Sequence, residues 1–421
     1  MENPADGISP VLTAAPTDSV PTILYFNSFP PSNWNGGTVL IRRLLRGYPP
    51  EKLIALTLSA NNFAKPDPGW CRRHVEFPSL KDWGSRGIWR FKGLINRLKG
   101  WTNWLMLPAA AFCAIRLIRK HSVSAILTVA AGTFFLPAVA AARWTKLPLV
   151  LIVHDDWVPI VAQAVSVPQW VFRRIFRAVL RRADHIFVIS AGMQEKLKVE
   201  YGVDSEVQMP ATEPWEPTLL PSPAERNHAL RIFYSGNGWA AWDSLTLLIR
   251  LIREKTLRRY GIEDVELHLC APWKIDADQN IIQHGWVSES EVRRLIASAD
   301  VLFLPYSFET EYQAFTRTSF PAKAADYVAS GKAILILGPE ESTICRYAEQ
   351  LRCAELVTEL NEEALAQALS RLASAEDYRQ NLASNAQRAF ALNHNIFRQR
   401  ERFIEVVKEL VNHKSQTSLV P

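Results

Sequence analysis

No stretch limits the fold more tightly than Ala299 to Leu337. Ala299 to Pro305 is a short apolar run stopped by proline, as expected of a strand buried on both faces of a parallel sheet. Residues 321 to 330 carry small and apolar side chains at helical spacing, with Pro321 suited to a first turn and Gly331 placed to end the helix. Ala333 to Leu337 is a second buried strand. Strand, loop, helix and strand make one right-handed crossover unit, and in such sheets ligands sit at the carboxyl ends of the strands. The polar loop from 306 to 320 is therefore a candidate ligand loop.

The same alternation runs through most of the chain. Strands are predicted at 23–27, 52–58, 125–129, 149–153, 186–190, 230–235 and 265–270, with a third early strand inside the irregular stretch 70–77. Helices are predicted at 38–46, 134–144, 170–182, 191–201, 243–253, 289–299 and 361–390, and an amphipathic one at 395–413. Prolines at 214, 217, 221 and 223 mark residues 214–229 as a linker between two domains, 21–213 and 230–392. Residues 1–20, rich in Pro, Ala, Thr and Ser with no basic start and no apolar core, read as a disordered tail and not a signal peptide. The expected class is α/β, two doubly wound parallel-sheet domains of Rossmann-like type facing a cleft.

Bulk properties narrow the partners. The 421 residues carry a net charge of +6 with a pI near 9.0, which favours anionic partners such as nucleotide diphosphates or acidic lipid. Five cysteines without paired spacing exclude a zinc or disulfide framework and fit a reducing, cytoplasmic setting. No uncharged apolar run reaches the ~18 residues of a spanning helix. The segment 85–120 nevertheless places Trp89, Trp101 and Trp104 among Arg90, Lys92 and Arg97 at helical intervals. It reads either as a helix lying on an anionic membrane face or as a core-packed helix with a solvated cationic side. The first reading places the protein peripherally at the inner face of a plasma membrane.

Three places carry chemistry. Gly36-Gly37 at a helix start offers bare N–H groups to an anion. His154 stands at the end of a central strand, positioned for donor-sugar or acceptor contacts, with Asp155 or Asp156 beside it for acceptor hydroxyl binding or base duty. Gly236-Asn237 ends the first strand of the second domain. No metal-binding cluster is visible, so none is assigned.

The unit Pro321-Ala322-Lys323-Ala324-Ala325-Asp326-Tyr327 resembles the nucleotide-sugar site of the family 4 glycosyltransferases of the GT-B fold, whose bacterial members often read Pro-Ser-Lys-x-x-Glu-Tyr. The helix, Ala-Asp, strand, Ser, helix, Tyr-Gly series from 170 to 202 looks like the end of the first GT-B domain. The resemblance implies that Asp326 holds the donor ribose, Gly36 and Gly37 face the diphosphate, Gly236 and Asn237 approach the donor, and Trp286 and Val287 hold the base. It also implies that residues 393–421 hold a final helix returning to the first domain and a tail. Two departures stand out. Thr318 occupies the first position of the family's Glu-x7-Glu pair, and Trp239 to Trp242 replace its usual Arg and Lys. Arg317, Thr318, Ser319 and Lys323 are the nearest substitutes for the diphosphate grip. The implied activity is retaining transfer of a sugar from a nucleotide diphosphate sugar to a glycan or lipid-linked acceptor in bacterial surface polysaccharide synthesis. The family works without a metal or other cofactor, and no nucleic acid is expected as partner. A nucleotide-sugar epimerase and a non-catalytic partner of another transferase remain the alternatives.

Overall fold

The computed structural model describes residues 20–33, 35–58, 65–78, 105–165, 168–215 and 229–417. The tail, the greater part of the linker and the tryptophan-bearing stretch 85–104 lie outside the described residues.

Buried apolar runs build two parallel sheets. The first holds β1 (Ile23–Asn27), β2 (Leu53–Leu58), β3 (Arg73–Phe77), β4 (Ala125–Val129), β5 (Leu149–Val153), β6 (His185–Val188) and β7 (Glu206–Val207), in the order β3-β2-β1-β4-β5-β6-β7. The second holds β8 (Leu230–Ser235), β9 (Val265–Cys270), β10 (Ile281–Gln283), β11 (Val301–Pro305), β12 (Ala333–Leu337) and β13 (Glu355–Val357), in the order β10-β9-β8-β11-β12-β13. Val301 pairs with Ala333 and Pro305 with Leu337, so the anticipated crossover unit is in place. Strand order reverses between β1 and β4 and between β8 and β11, and a ligand crevice opens beyond the carboxyl ends of such neighbours. The expected class, two doubly wound domains facing a cleft, is the one observed.

Helices cover both faces of each sheet. The first domain has α1 (Gly36–Leu45), α2 (Leu107–His121), α3 (Leu136–Thr145), α4 (Trp157–Val165), α5 (Gln169–Arg182) and α6 (Ala191–Tyr201). The second has α7 (Trp242–Arg253), α8 (Glu289–Ser298), the single turn α9 (Gln313–Thr316), α10 (Ala324–Ala329), α11 (Thr343–Leu351), α12 (Glu362–Ser374) and α13 (Glu376–Ala389). Along β5 the side chains alternate. Val150 and Ile152 join the core under α1, whereas Leu151 and Val153 join the core under α4 and α5.

The chain crosses between domains twice, and the crossings are tied together. After a π-helical turn, Phe390–His394, the long α14 (Ile396–Thr417) returns to the first domain, burying Phe403, Val406 and Val407 against Ile41, Leu44 and Leu45 of α1. Thr212 donates to the His394 carbonyl at 3.0 Å, and Ile396 donates to the Thr212 carbonyl at 3.1 Å. Burial pulls the His394 imidazole down to about 4, so it is neutral at pH 7 and bridges the Pro210 carbonyl and the Tyr347 hydroxyl.

Two local boundaries differ from the sequence expectation. The first helix starts at Gly36 and not at Thr38, because Asn35 caps it: its side chain accepts from the Thr38 N–H at 2.9 Å while its own N–H donates to the Thr38 hydroxyl. Helix α10 starts only at Ala324, and Gly331, at φ +69°, ends it in the left-handed conformation expected of that glycine. None of the helices among the described residues is long and apolar enough to cross a membrane.

Candidate functional site

A cleft of about 1240 Å³ separates the two sheets at their carboxyl ends. Small-molecule pockets run to roughly 300–1,000 Å³, so this cleft is larger than a typical small-molecule site. The amino end of α1 forms one wall. Asn35 consumes the Thr38 N–H, while Gly36 and Gly37 supply the first N–H groups of the helix, which have no partner within it. A Cβ on Gly36 would stand 3.2 Å from the Ala322 Cβ of the other domain, and one on Gly37 would stand 3.4 Å from His154 Nδ1. These glycines let the helix end approach both its own domain's histidine and the facing domain.

His154 and Asp155 line the cleft just past β5. Burial lowers the His154 imidazole to about 4, so it is neutral at pH 7. Burial, with help from the Asp156 charge, raises the Asp155 carboxyl to about 6. A carboxylate with that value is ionised at pH 7 and is a stronger base than an ordinary aspartate. Asp156 does not line the cleft and is bound 3.0 Å from Lys196 of α6.

Lys323 dominates the opposite wall. Its ammonium sits 4.2 Å above the Tyr234 ring, and among the described residues it has no carboxylate partner. Burial lowers it to about 7. Gly236, at φ +151°, is held open for it, since a Cβ there would meet the Lys323 nitrogen at 2.5 Å and the Tyr234 hydroxyl at 2.8 Å. The glycine loop after β8 and the helix after the ligand loop are thus shaped around one unpaired cation. Asn237 is exposed in the cleft lining, and its side chain accepts from the Trp239 N–H at 3.0 Å.

The remaining predicted residues divide. Ser319 lines the cleft, with Val287 and the largely exposed Trp286 at its rim. Thr318 is buried, and its hydroxyl donates back to the Ala314 carbonyl at 2.9 Å, which makes it a turn residue. Its carbonyl accepts from Ser190, the cap of α6, so the ligand loop is pinned to the first domain. Gly192 lies under the same loop, where any Cβ would collide with the Arg317 carbonyl. Arg317 points outward and pairs with Glu341 at 3.2 Å. Asp326 lies outside the lining, and both its oxygens are 3.0 Å from Nη2 of Arg43 in α1.

Sequence reasoning passed over this Arg43 network. Arg43 also reaches Glu289 at 3.3 Å, and Arg42 bridges Glu289 and Asp67. Burial alone would lower the Arg43 guanidinium, but Asp326 and Glu289 outweigh it and hold it above its ordinary value. The only signal was two arginines on the buried side of α1, and nothing in their spacing names partners more than two hundred residues away. Also unforeseen is the aromatic wall. Trp239, where the family's cations were sought, packs 4.5 Å from Phe315 and 5.5 Å from Tyr312, ring centre to ring centre. Among the described residues no cluster of three or more His, Cys, Asp or Glu is placed to hold a metal.

Residues 34–209 match the family model described as Glycosyltransferase Family 4. No curated protein matches the sequence significantly. Among solved structures, a glycosyltransferase from Rickettsia africae superposes with a TM-score of 0.65 at 13% identity, covering 92% of this chain and 98% of that one. Sucrose-phosphate synthase from Thermosynechococcus elongatus gives 0.64 at 13% identity, covering 93% and 100%. HepE from Anabaena, solved with UDP and glucose, gives 0.63 at 12% identity, covering 92% and 99%. At such identities the likeness is one of fold, the two-domain GT-B architecture.

Proposed function

We propose that this chain, a glycosyltransferase of the GT-B fold, moves a sugar from a nucleoside diphosphate to a hydroxyl of a glycan or lipid-linked acceptor, working peripherally at the cytoplasmic face of a bacterial membrane. The observation that carries the donor assignment is the meeting of two anion-binding features in one cleft: the N–H end of α1 and the unpaired Lys323 ammonium, brought together where Gly36 faces Ala322 with no room to spare for a side chain. A diphosphate held there has its developing charge stabilised as the bond from the anomeric carbon to the diphosphate oxygen breaks. The acceptor oxygen forms the new bond to that carbon, and its proton passes to the Asp155 carboxylate or to the departing phosphate. Trp286 and Val287 border the place for the base. Because HepE was solved with UDP, UDP and its sugars are the first donors to test. Retention of configuration and independence from metal belong to the same reading, on the strength of the family resemblance.

The test is a thermal-shift panel of nucleoside diphosphates and their sugar conjugates on wild type and Lys323→Met. A shift specific to one base that disappears in the variant is the expected result; an equal shift in both removes Lys323 from the site. The Arg43 pairing of Asp326 favours one second reading, a non-catalytic partner of another transferase. That reading takes precedence if no nucleotide shifts the wild type at millimolar levels.

A further inference from the structure

Helices α2, α3 and α5 contain no acidic residue. They lie next to one another on one face of the first sheet, with Ala114 and Leu117 of α2, Ala138 and Ala141 of α3, and Phe172 and Phe176 of α5 turned into the core. Their outer side is unlike an ordinary solvated surface. Each helix exposes one large aromatic: Phe112 is 65%, Trp144 73% and Trp170 60% accessible. Around these rings stand Arg116, Arg119 and Lys120 on α2, Arg143 and Lys146 at the end of α3, and Arg173, Arg174, Arg177 and Arg181 on α5. Among the described residues none of these cations is in a salt bridge with a carboxylate.

The charge is concentrated here and not spread over the molecule. Residues 105 to 183 hold ten Lys or Arg against two acids, Asp155 and Asp156, while the whole chain holds 48 against 42. The rest of the chain is therefore net acidic. Asp155 faces the cleft and Asp156 is paired with Lys196, so neither offsets the cations of the helical layer. Soluble surfaces intersperse the two signs and keep large rings covered. Arg177 donates to the Glu200 carbonyl and lies over the Tyr201 ring, and Arg174 lies over Trp170, but among the described residues no carboxylate neutralises either. Exposed rings among such cations suit a different environment, one with anionic groups at its surface and hydrocarbon just below.

We propose that the outer side of α2, α3 and α5 is a docking face for an anionic lipid bilayer, with Phe112, Trp144 and Trp170 entering the headgroup region and the flanking arginines and lysines held by lipid phosphates. It rests on the peripheral reading above and gives that reading a defined face. A nucleic acid would satisfy the cations but offers no hydrocarbon to three rings on separate helices.

Flotation of the full chain with vesicles tests the proposal. Wild type is expected to float with phosphatidylcholine vesicles containing phosphatidylglycerol, not with phosphatidylcholine alone, and to be released by salt. Arg173→Glu combined with Arg174→Glu and Arg177→Glu should weaken binding by about a hundredfold, since each cation near an anionic surface contributes about fivefold. Trp144→Ser with Trp170→Ser should weaken it while keeping the salt dependence. Binding to both vesicle types alike, binding by both variants at wild-type strength, or tighter binding to single-stranded RNA than to anionic vesicles overturns the proposal. These helices stand apart from the cleft, so the nucleotide-induced thermal shift should survive in both variants. A variant that loses the shift is misfolded and the other decides; a wild type that floats but shows no shift sinks the transfer reading alone.

Discussion

Raising the pH from 7 to about 9 should weaken donor binding about fiftyfold through Lys323 alone. Burial holds the free ammonium near 7, so about half the molecules carry the charge at pH 7 and about one in a hundred at pH 9. If only the charged form grips the diphosphate, apparent affinity falls in proportion to the competent fraction, by about 2.3 kcal/mol over this range. The sign follows from the shift: the free protein has released the proton that the complex needs, so binding takes one up. A nucleoside diphosphate sugar is the right probe, because its diphosphate does not titrate between these values. Titration calorimetry in two buffers of different ionisation enthalpy reports both the affinity and the proton uptake. Lys323→Arg supplies the control, since a guanidinium stays charged and should bind with little dependence on pH. An affinity for wild type that stays level from pH 7 to 9, with no proton taken up, refutes the assignment.

Other consequences are narrower. Gly236→Ala drives a methyl into the Lys323 nitrogen and should cost about tenfold in donor affinity, equivalent to ~1.4 kcal/mol, alongside a lower melting temperature from the strained φ of +151°; unchanged affinity would mean that the lysine is not needed where it stands. The turnover rate should rise with pH through about 6 as Asp155 ionises, and Asp155→Asn should lose 10²- to 10⁴-fold in kcat together with that acid limb. Persistence of the limb in the variant would transfer it to another group. Removing the nine-tenths-buried Arg43 guanidinium as Arg43→Gln leaves Asp326 without its cation, while Glu289 keeps Arg42 and Arg293, and should cost about 3 kcal/mol in denaturant unfolding, with Asp326→Asn less than additive to it. Strict additivity would show that the two do not act as a pair.

The sheets were legible because strands buried on both faces read as continuous apolar runs, and Leu149–Val153 or Val301–Pro305 have no other comfortable reading. The short edges were not: Glu206–Val207 and Glu355–Val357 carry too few residues for any period to appear. Helix α4 was missed because its nearly unbroken apolar sequence hides the helical period. At the site, glycines at chain turns and a lysine inside a motif were readable, since their chemistry is local. The partners of Arg43 were not, because pairing with Asp326 depends on how two domains meet. Nor was the inward turn of Thr318, which rests on a carbonyl four residues back in a one-turn helix.

The most direct test of the central claim is the position of the diphosphate in a crystal structure with UDP or whichever nucleotide gives the thermal shift. Phosphate oxygens are expected within hydrogen-bond distance of the Lys323 nitrogen and of the Gly36 or Gly37 N–H, with the base toward Trp286. A diphosphate bound elsewhere, with Lys323 still resting over Tyr234, would contradict that claim.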